Sequence, residues 1–208
     1  MDRYAGVPIS KFPEDLRVYE HLLWASRADV VIELGAQFGG SALWFRDRLR
    51  ALEQYGRIRH GRVISIDIDV TAARQAVSAA DPNHTSSITL LEGDVRDTAL
   101  ADRVRELVPA GSRCFVIEDS AHTYETTWGA LTAFASFVPP RGYFVVEDGC
   151  VDVEEMRLAD SWPRGVLPAL EAWLATPEGS EFTVRRDLER YGLSCHPMGF
   201  LQRTGGDS

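Results

Sequence analysis

Three short apolar runs in this chain each end on carboxylates, and no other feature constrains the fold as tightly. Glu33 follows Val30-Val31-Ile32, Asp119 follows Cys114-Phe115-Val116-Ile117-Glu118, and Glu147-Asp148 follow Tyr143-Phe144-Val145-Val146. Runs of this length, rich in β-branched and aromatic residues, read as buried parallel strands. In an open α/β sheet, ligands bind outside the carboxyl ends of the strands, so these charges are expected to converge on one crevice. His122 stands three residues beyond Asp119. The set suggests a metal held by carboxylates beside an imidazole base, serving a nucleotide-like cofactor on the first strand.

Strand-like and helix-like segments alternate along the rest of the chain, as in an α/β fold with a mostly parallel sheet. A helix is expected over Asp15–Trp24, then strand one at Val30–Leu34 and a glycine loop, Gly35-Ala36-Gln37-Phe38-Gly39-Gly40. Ser41 is read as the N-cap of a helix over Ala42–Gln54. Strands follow at Val63–Asp67, Ile88–Leu91, Cys114–Ile117 and Gly142–Val146, with helices near Thr71–Ala80, Ala99–Leu107, Glu125–Phe137 and Leu167–Ala175. Two β-like pieces, Glu181–Val184 and Gly199–Gln202, predict a terminal antiparallel hairpin. Thr204–Ser208 is expected to fray.

With 208 residues and no linker or repeat, the chain reads as one domain, 1–208, with 1–28 as an N-terminal helical segment or lid. The net charge of −9 and the lack of a basic stripe argue against nucleic acid as the partner. No secretory leader or membrane-length apolar stretch is read, so a cytoplasmic protein without a membrane partner is expected. The three cysteines suit neither a disulfide framework nor a zinc motif, and Cys114 reads as an apolar filler. Of the 22 basic residues, 21 are arginine. His21 is placed in the first helix, His60 and His84 in polar loops, and nothing selects His196. The tryptophans are read as core or interface residues.

The loop after strand one, introduced by Glu33, lacks the G-x-G-x-x-G spacing of dinucleotide folds and better suits S-adenosylmethionine, which has no pyrophosphate. Glu33, Gly35 and Ser41 are candidates there. Asp67, ending strand two, can accept from both ribose hydroxyls. Asp69 is either a second cofactor contact or a cap for the next helix. Gly93 permits close approach of an adenine ring, and Asp94 could accept from its amine. Asp119, Glu147 and Asp148 suit magnesium, a hard cation that prefers oxygen ligands. His122 is a fitting acceptor for a hydroxyl proton. Glu118 should face away from Asp119.

As a set these residues resemble the cephalosporin hydroxylase-like family, which includes S-adenosylmethionine-dependent sugar O-methyltransferases of antibiotic biosynthesis. The likeness rests on Gly6-Val7-Pro8-Ile9-Ser10-Lys11, Ile32-Glu33-Leu34-Gly35, Gly39-Gly40-Ser41-Ala42, Arg62–Asp69, Asp119-Ser120-Ala121-His122-Thr123-Tyr124-Glu125, Gly142–Asp148 and Pro197-Met198-Gly199-Phe200-Leu201. It implies a Rossmann-like class I methyltransferase fold, with a mostly parallel seven-stranded sheet, helices on both faces and a C-terminal antiparallel hairpin. It further implies that Asp119, Glu147 and Asp148 hold Mg2+ and that His122 is the general base. The expected activity is S-adenosylmethionine- and Mg-dependent O-methylation of a small molecule with neighbouring hydroxyls, such as a natural-product sugar. The alternative is a non-catalytic or hydroxylation-pathway partner that keeps the fold. A homo-oligomer is left open, with Tyr4, Val7, Ile9 and Phe12 as residues that could pack on a neighbour or form a lid.

Overall fold

The computed structural model describes residues 1–157, 159–189 and 194–205. The chain opens with a hairpin, β1 (Asp2–Tyr4) and β2 (Val7–Ile9), which the sequence did not announce, and then α1 (Pro13–Ser26). Val7 and Ile9 are buried in the protein's own core, and the Tyr4 hydroxyl donates to Asp47 Oδ2 at 2.8 Å. These residues thus pack within the chain.

The expected alternation follows. The elements are β3 (Val30–Leu34), α2 (Gly40–Gln54), β4 (Arg62–Asp67), α3 (Thr71–Ala80), β5 (Ile88–Glu92), α4 (Thr98–Leu107), β6 (Cys114–Glu118), α5 (Tyr124–Phe134), β7 (Tyr143–Val146), α6 (Val166–Leu174), β8 (Phe182–Val184) and β9 (Phe200–Arg203). Among the described residues, β3 to β9 form a seven-stranded sheet of order β5-β4-β3-β6-β7-β9-β8. β3 to β7 are parallel, whereas β9 runs antiparallel to both β7 and β8. The sheet is that of the expected class I methyltransferase fold.

Every residue of β3 and β6 is buried because helices cover both faces. Val31, Val63, Phe115 and Val145 pack under α1, α2 and α3, while Ile32, Ile64, Val116 and Phe144 pack under α4, α5 and α6. The period-two alternation of strands assigns each residue its face. It also separates Glu118 from Asp119, as expected.

Three local expectations need correction. Ser41 is not a helix cap: Gly39, at φ 81°, fills that position and α2 begins at Gly40. A Cβ on Gly40 would lie 2.2 Å from the Pro8 carbonyl oxygen, so the β2 segment presses on a backbone that only glycine permits there. His84 is not in a polar loop; it is buried at the start of a 3-10 turn, its Nδ1 2.9 Å from the Asp81 carbonyl oxygen. Thr204 is held by a 2.8 Å bond from its N–H to the Glu181 carbonyl, and 206–208 lie outside the described residues.

Two carboxylates are deeply buried within the strands, Glu33 in β3 and Glu118 in β6. Burial pushes Glu118 from 4.5 up to about 8, a rise only partly offset by the Ser120 hydroxyl that donates to it at 2.6 Å. The folded protein therefore binds more protons than the unfolded chain between those values, and stability from this group falls as pH rises across that window. Glu118→Gln should flatten the slope. Calorimetric melting should show the variant gaining on the natural protein from pH 5 to pH 8 by up to a few kcal/mol, at roughly 1.4 kcal/mol per pKa unit.

Candidate active site

Outside the carboxyl ends of β3, β4, β5, β6 and β7 lies a cleft of about 560 Å3. Gly35, Asp67, Gly93 and Asp94 line one end, and Asp119, His122 and Asp148 line the other. Val151, Trp162 and Pro163 form an outer wall. A larger cavity of about 880 Å3 lies between α1 and α2, but none of these convergent groups lines it. The smaller cleft is the functional candidate because it gathers the titratable groups at the sheet's carboxyl edge.

At the first end, the Gly35 and Ala36 N–H groups donate to the Ile66 carbonyl, and the Gln37 N–H donates to Asp67 Oδ2 at 2.8 Å. The glycine loop is thus strapped to the end of β4. Gly35 has φ 112°, and a Cβ there would fall 1.9 Å from the Asp119 carbonyl oxygen. Its glycine lets the loop rest directly on the exit of β6. Gly93 serves packing in the same way, since its Cβ position meets Leu100 of α4 at 2.4 Å.

Asp94 is paired with Arg96, which holds its carboxyl down at about 2. Asp69 caps the first turn of α3 by accepting from the Thr71 N–H at 2.8 Å, and it does not line the cleft. Glu33 and Ser41 also lie beneath the lining. Glu33 accepts from Ser65 Oγ at 2.5 Å, and burial raises it to about 7.

The second end is organised by a residue that the sequence reading passed over. Lys11 Nζ donates to Asp119 Oδ2 at 2.5 Å and to Glu147 Oε1 at 2.7 Å, with 3% of its side chain exposed. Burial opposes its charge, but Asp119, Glu147 and Glu33 outweigh that and hold the ammonium above its usual range. Lys11 is the single lysine among 22 basic residues. That exception to an arginine-rich composition was the available signal, because a lysine ammonium is a compact point charge with three donors, unlike the planar guanidinium used elsewhere in the chain.

Behind it, the Tyr19 hydroxyl donates to Glu147 Oε1 at 2.7 Å and lies 3.0 Å from His196 Nε2. The Asp148 N–H donates to His196 Nδ1 at 3.0 Å. His196 therefore carries its proton on Nε2 and donates to Tyr19; burial lowers it to about 4, so it stays neutral. Glu147 belongs to this buried layer and not to the cleft wall.

Asp119 and Asp148 flank His122, whose Nε2 lies 3.9 Å from Asp119 Oδ1 and 3.5 Å from Asp148 Oδ2. His122 and Asp148 both adopt left-handed backbone, with φ 56° and 55°. Such conformations in non-glycine residues gather at functional sites, where the surroundings impose them. Thr123 caps α5 with a reciprocal Thr126 bond, fixing the turn that presents His122. One ligand atom each from Asp119, His122 and Asp148 lies within 4.8 Å of the others, and the same holds for Glu147, Asp148 and His196. Burial and the neighbouring carboxylates push Asp148 well above the usual range, and Asp119 is raised the same way despite Lys11. Clustered oxygen donors that resist shared ionisation fit a hard divalent cation.

Comparisons with known proteins give the family of the chain. Rhamnosyl O-methyltransferase of Mycobacterium leprae (strain TN) is 26% identical over 202 residues, covering 96% of this chain and 82% of its own. The Mycobacterium tuberculosis (strain H37Rv) enzyme of that name is 25% identical over 209 residues, covering 97% and 78%. A magnesium- and SAM-bound structure of CmcI superposes with a TM-score of 0.70 at 23% identity, covering 98% of this chain and 77% of that one; it shows the shared fold. No helix among the described residues is long and apolar enough to cross a membrane. The Rhamnosyl O-methyltransferase/CmcI family model matches residues 1–204, and the chain belongs to that family of SAM-dependent O-methyltransferases.

Proposed function

We propose that the protein transfers a methyl group from S-adenosylmethionine to a hydroxyl of a small molecule, with Mg2+ and with a sugar of a natural product as acceptor. The observation that carries this reading is the two-ended cleft. A strapped glycine loop and Asp67 lie at one end, and an acid–imidazole cluster lies at the other. The names of the mycobacterial relatives support a sugar as the acceptor class.

Asp67 would accept from the ribose hydroxyls of the cofactor, held in place by the Gln37 N–H. Gly35, Gly93 and Asp94 would line the adenosyl end. Glu33 and Ser41 would act from below by shaping the loop, and Asp69 by starting α3. Asp119, Glu147 and Asp148 would hold the cation, and Lys11 would keep one oxygen of Asp119 and of Glu147 engaged. When bound, S-adenosylmethionine supplies an activated methyl group, and magnesium supplies Lewis-acid activation and a template for two neighbouring hydroxyls. His122 would take the acceptor proton at Nε2, between the Asp119 and Asp148 carboxylates. Trp162 and Pro163 would close the acceptor side against water.

Three measurements test the scheme. Asp67→Ala should weaken S-adenosylmethionine binding by roughly 10- to 100-fold in calorimetric titration, the expected loss for a charge-assisted hydrogen bond; unchanged affinity would remove Asp67 from the cofactor site. His122→Ala should lower kcat by ~10²–10⁴-fold while cofactor affinity holds, and full turnover at saturating acceptor would eliminate the base. Lys11→Met leaves buried carboxylates unpaired and should lower Tm by roughly 10 °C. Added Mg2+ should raise the Tm of the natural protein by mass action and that of the variant by more, restoring part of the loss. A Lys11→Met melting curve indifferent to Mg2+ would count against a shared cation cluster.

A further inference from the structure

The carboxylate of Asp148 faces a second set of donors that methyl transfer does not use. Cys150 and Cys195 come together from segments 45 residues apart in sequence, and their sulfurs lie within 4.8 Å of each other. One ligand atom from each of Asp148, Cys150 and Cys195 lies within 4.8 Å of the other two. All three cysteines of the chain are free. Cys150 is buried, while Cys195 and Asp148 are partly open to solvent, so an ion can enter from the Asp148 side.

The frame around this set is already fixed. The Cys150 N–H donates to the Cys195 carbonyl at 3.1 Å, and the Asp148 N–H donates to His196 Nδ1 at 3.0 Å. Asp15, buried in α1, accepts from Ser194 Oγ at 2.8 Å and from the Cys195 N–H at 3.0 Å. The two ligand-bearing segments are thus cross-linked by hydrogen bonds before any ion arrives. In a tetrahedral zinc site with zinc–sulfur bonds of ~2.3 Å, the sulfurs stand roughly 3.8 Å apart. The three ligand atoms lie within 4.8 Å of one another, so reaching that spacing asks for about 1 Å of movement at most, within the range of side-chain rotation.

We propose that Asp148, Cys150 and Cys195 form a site for a thiophilic divalent ion such as zinc or cadmium, sharing Asp148 with the oxygen-donor cluster. Two thiolates and one carboxylate select soft or borderline ions and reject magnesium, while Asp119 and Asp148 with their oxygen neighbours do the reverse. Binding releases the two thiol protons to solvent and leaves a fourth position open. Because Asp148 serves both sets, filling the thiolate site draws a ligand away from the oxygen site. Zinc or cadmium should then oppose magnesium. The binding claim itself does not depend on the methyl-transfer reading.

The test is titration of the full, reduced chain with CdCl2, followed by thiolate-to-cadmium charge-transfer absorption in the ultraviolet. We expect saturation at one ion per chain, about two protons released and two thiols protected from a thiol reagent. Cys195→Ser should abolish the band, with Cys150→Ser as the second variant if the first fails to fold. Asp148→Asn should weaken cadmium binding about 10-fold, and excess Mg2+ should weaken it in the natural protein. No band with both thiols confirmed free, or a band that survives Cys195→Ser, overturns the site. So does a mass 2 Da lower in the purified chain, which would mark the pair as a disulfide.

Discussion

One buried ammonium makes the carboxyl edge of this sheet tenable. β3, β6 and β7 are neighbours, and their ends place Glu33, Asp119 and Glu147 under the same helical layer. Buried carboxylates repel one another strongly in a medium of low dielectric, and each also loses its hydration. Lys11 reaches two of them directly and acts on the third through its charge. Its stem arrives from the segment after β2, held down on the glycine start of α2. The N-terminal hairpin therefore supplies a fixed part of the acid cluster, in addition to covering the core.

The same edge is tied to the far end of the chain. Asp15 and Tyr19, one turn apart on α1, bind Ser194, Cys195 and His196 on one side and Glu147 on the other. His196 then accepts from the Asp148 backbone. Each bond satisfies a buried polar group that would otherwise cost roughly 1–3 kcal/mol. Together they link the first helix, the end of β7 and the approach to β9. The orientation of Asp148 is consequently set by residues drawn from both ends of the sequence.

That long-range dependence explains which parts could be read in advance. β3 to β7 were legible because apolar runs and turn residues are local signals, and the alternation of side chains separated Glu118 from Asp119 without any structure. Asp67, Asp119, His122 and Asp148 were legible because strand ends locate a crevice. Lys11, Tyr19 and His196 were not, since each takes its meaning from a partner more than 100 residues away. Ser41 misled because a serine before an apolar run mimics a cap, while the glycine pair ahead of it had already turned the chain. β1 and β2 escaped notice because strands of three residues leave almost no periodic trace.

The geometry around His122 carries a further constraint. Its Nε2 sits between the carboxyl groups of Asp119 and Asp148, so a proton taken there would arrive beside oxygen acceptors of that pair. Those same carboxylates would hold the cation, whose charge opposes an imidazolium at that position. With every carboxylate oxygen given to the cation, the base would face only repulsion. Lys11 and Tyr19 already engage Asp119 Oδ2 and Glu147 Oε1 in the buried layer, and the ammonium adds a positive charge of its own, which leaves Asp119 Oδ1 and the Asp148 oxygens as what the imidazole faces. The division of oxygens between an internal ammonium and an external cation thus sets how much negative charge remains near the imidazole when the proton moves.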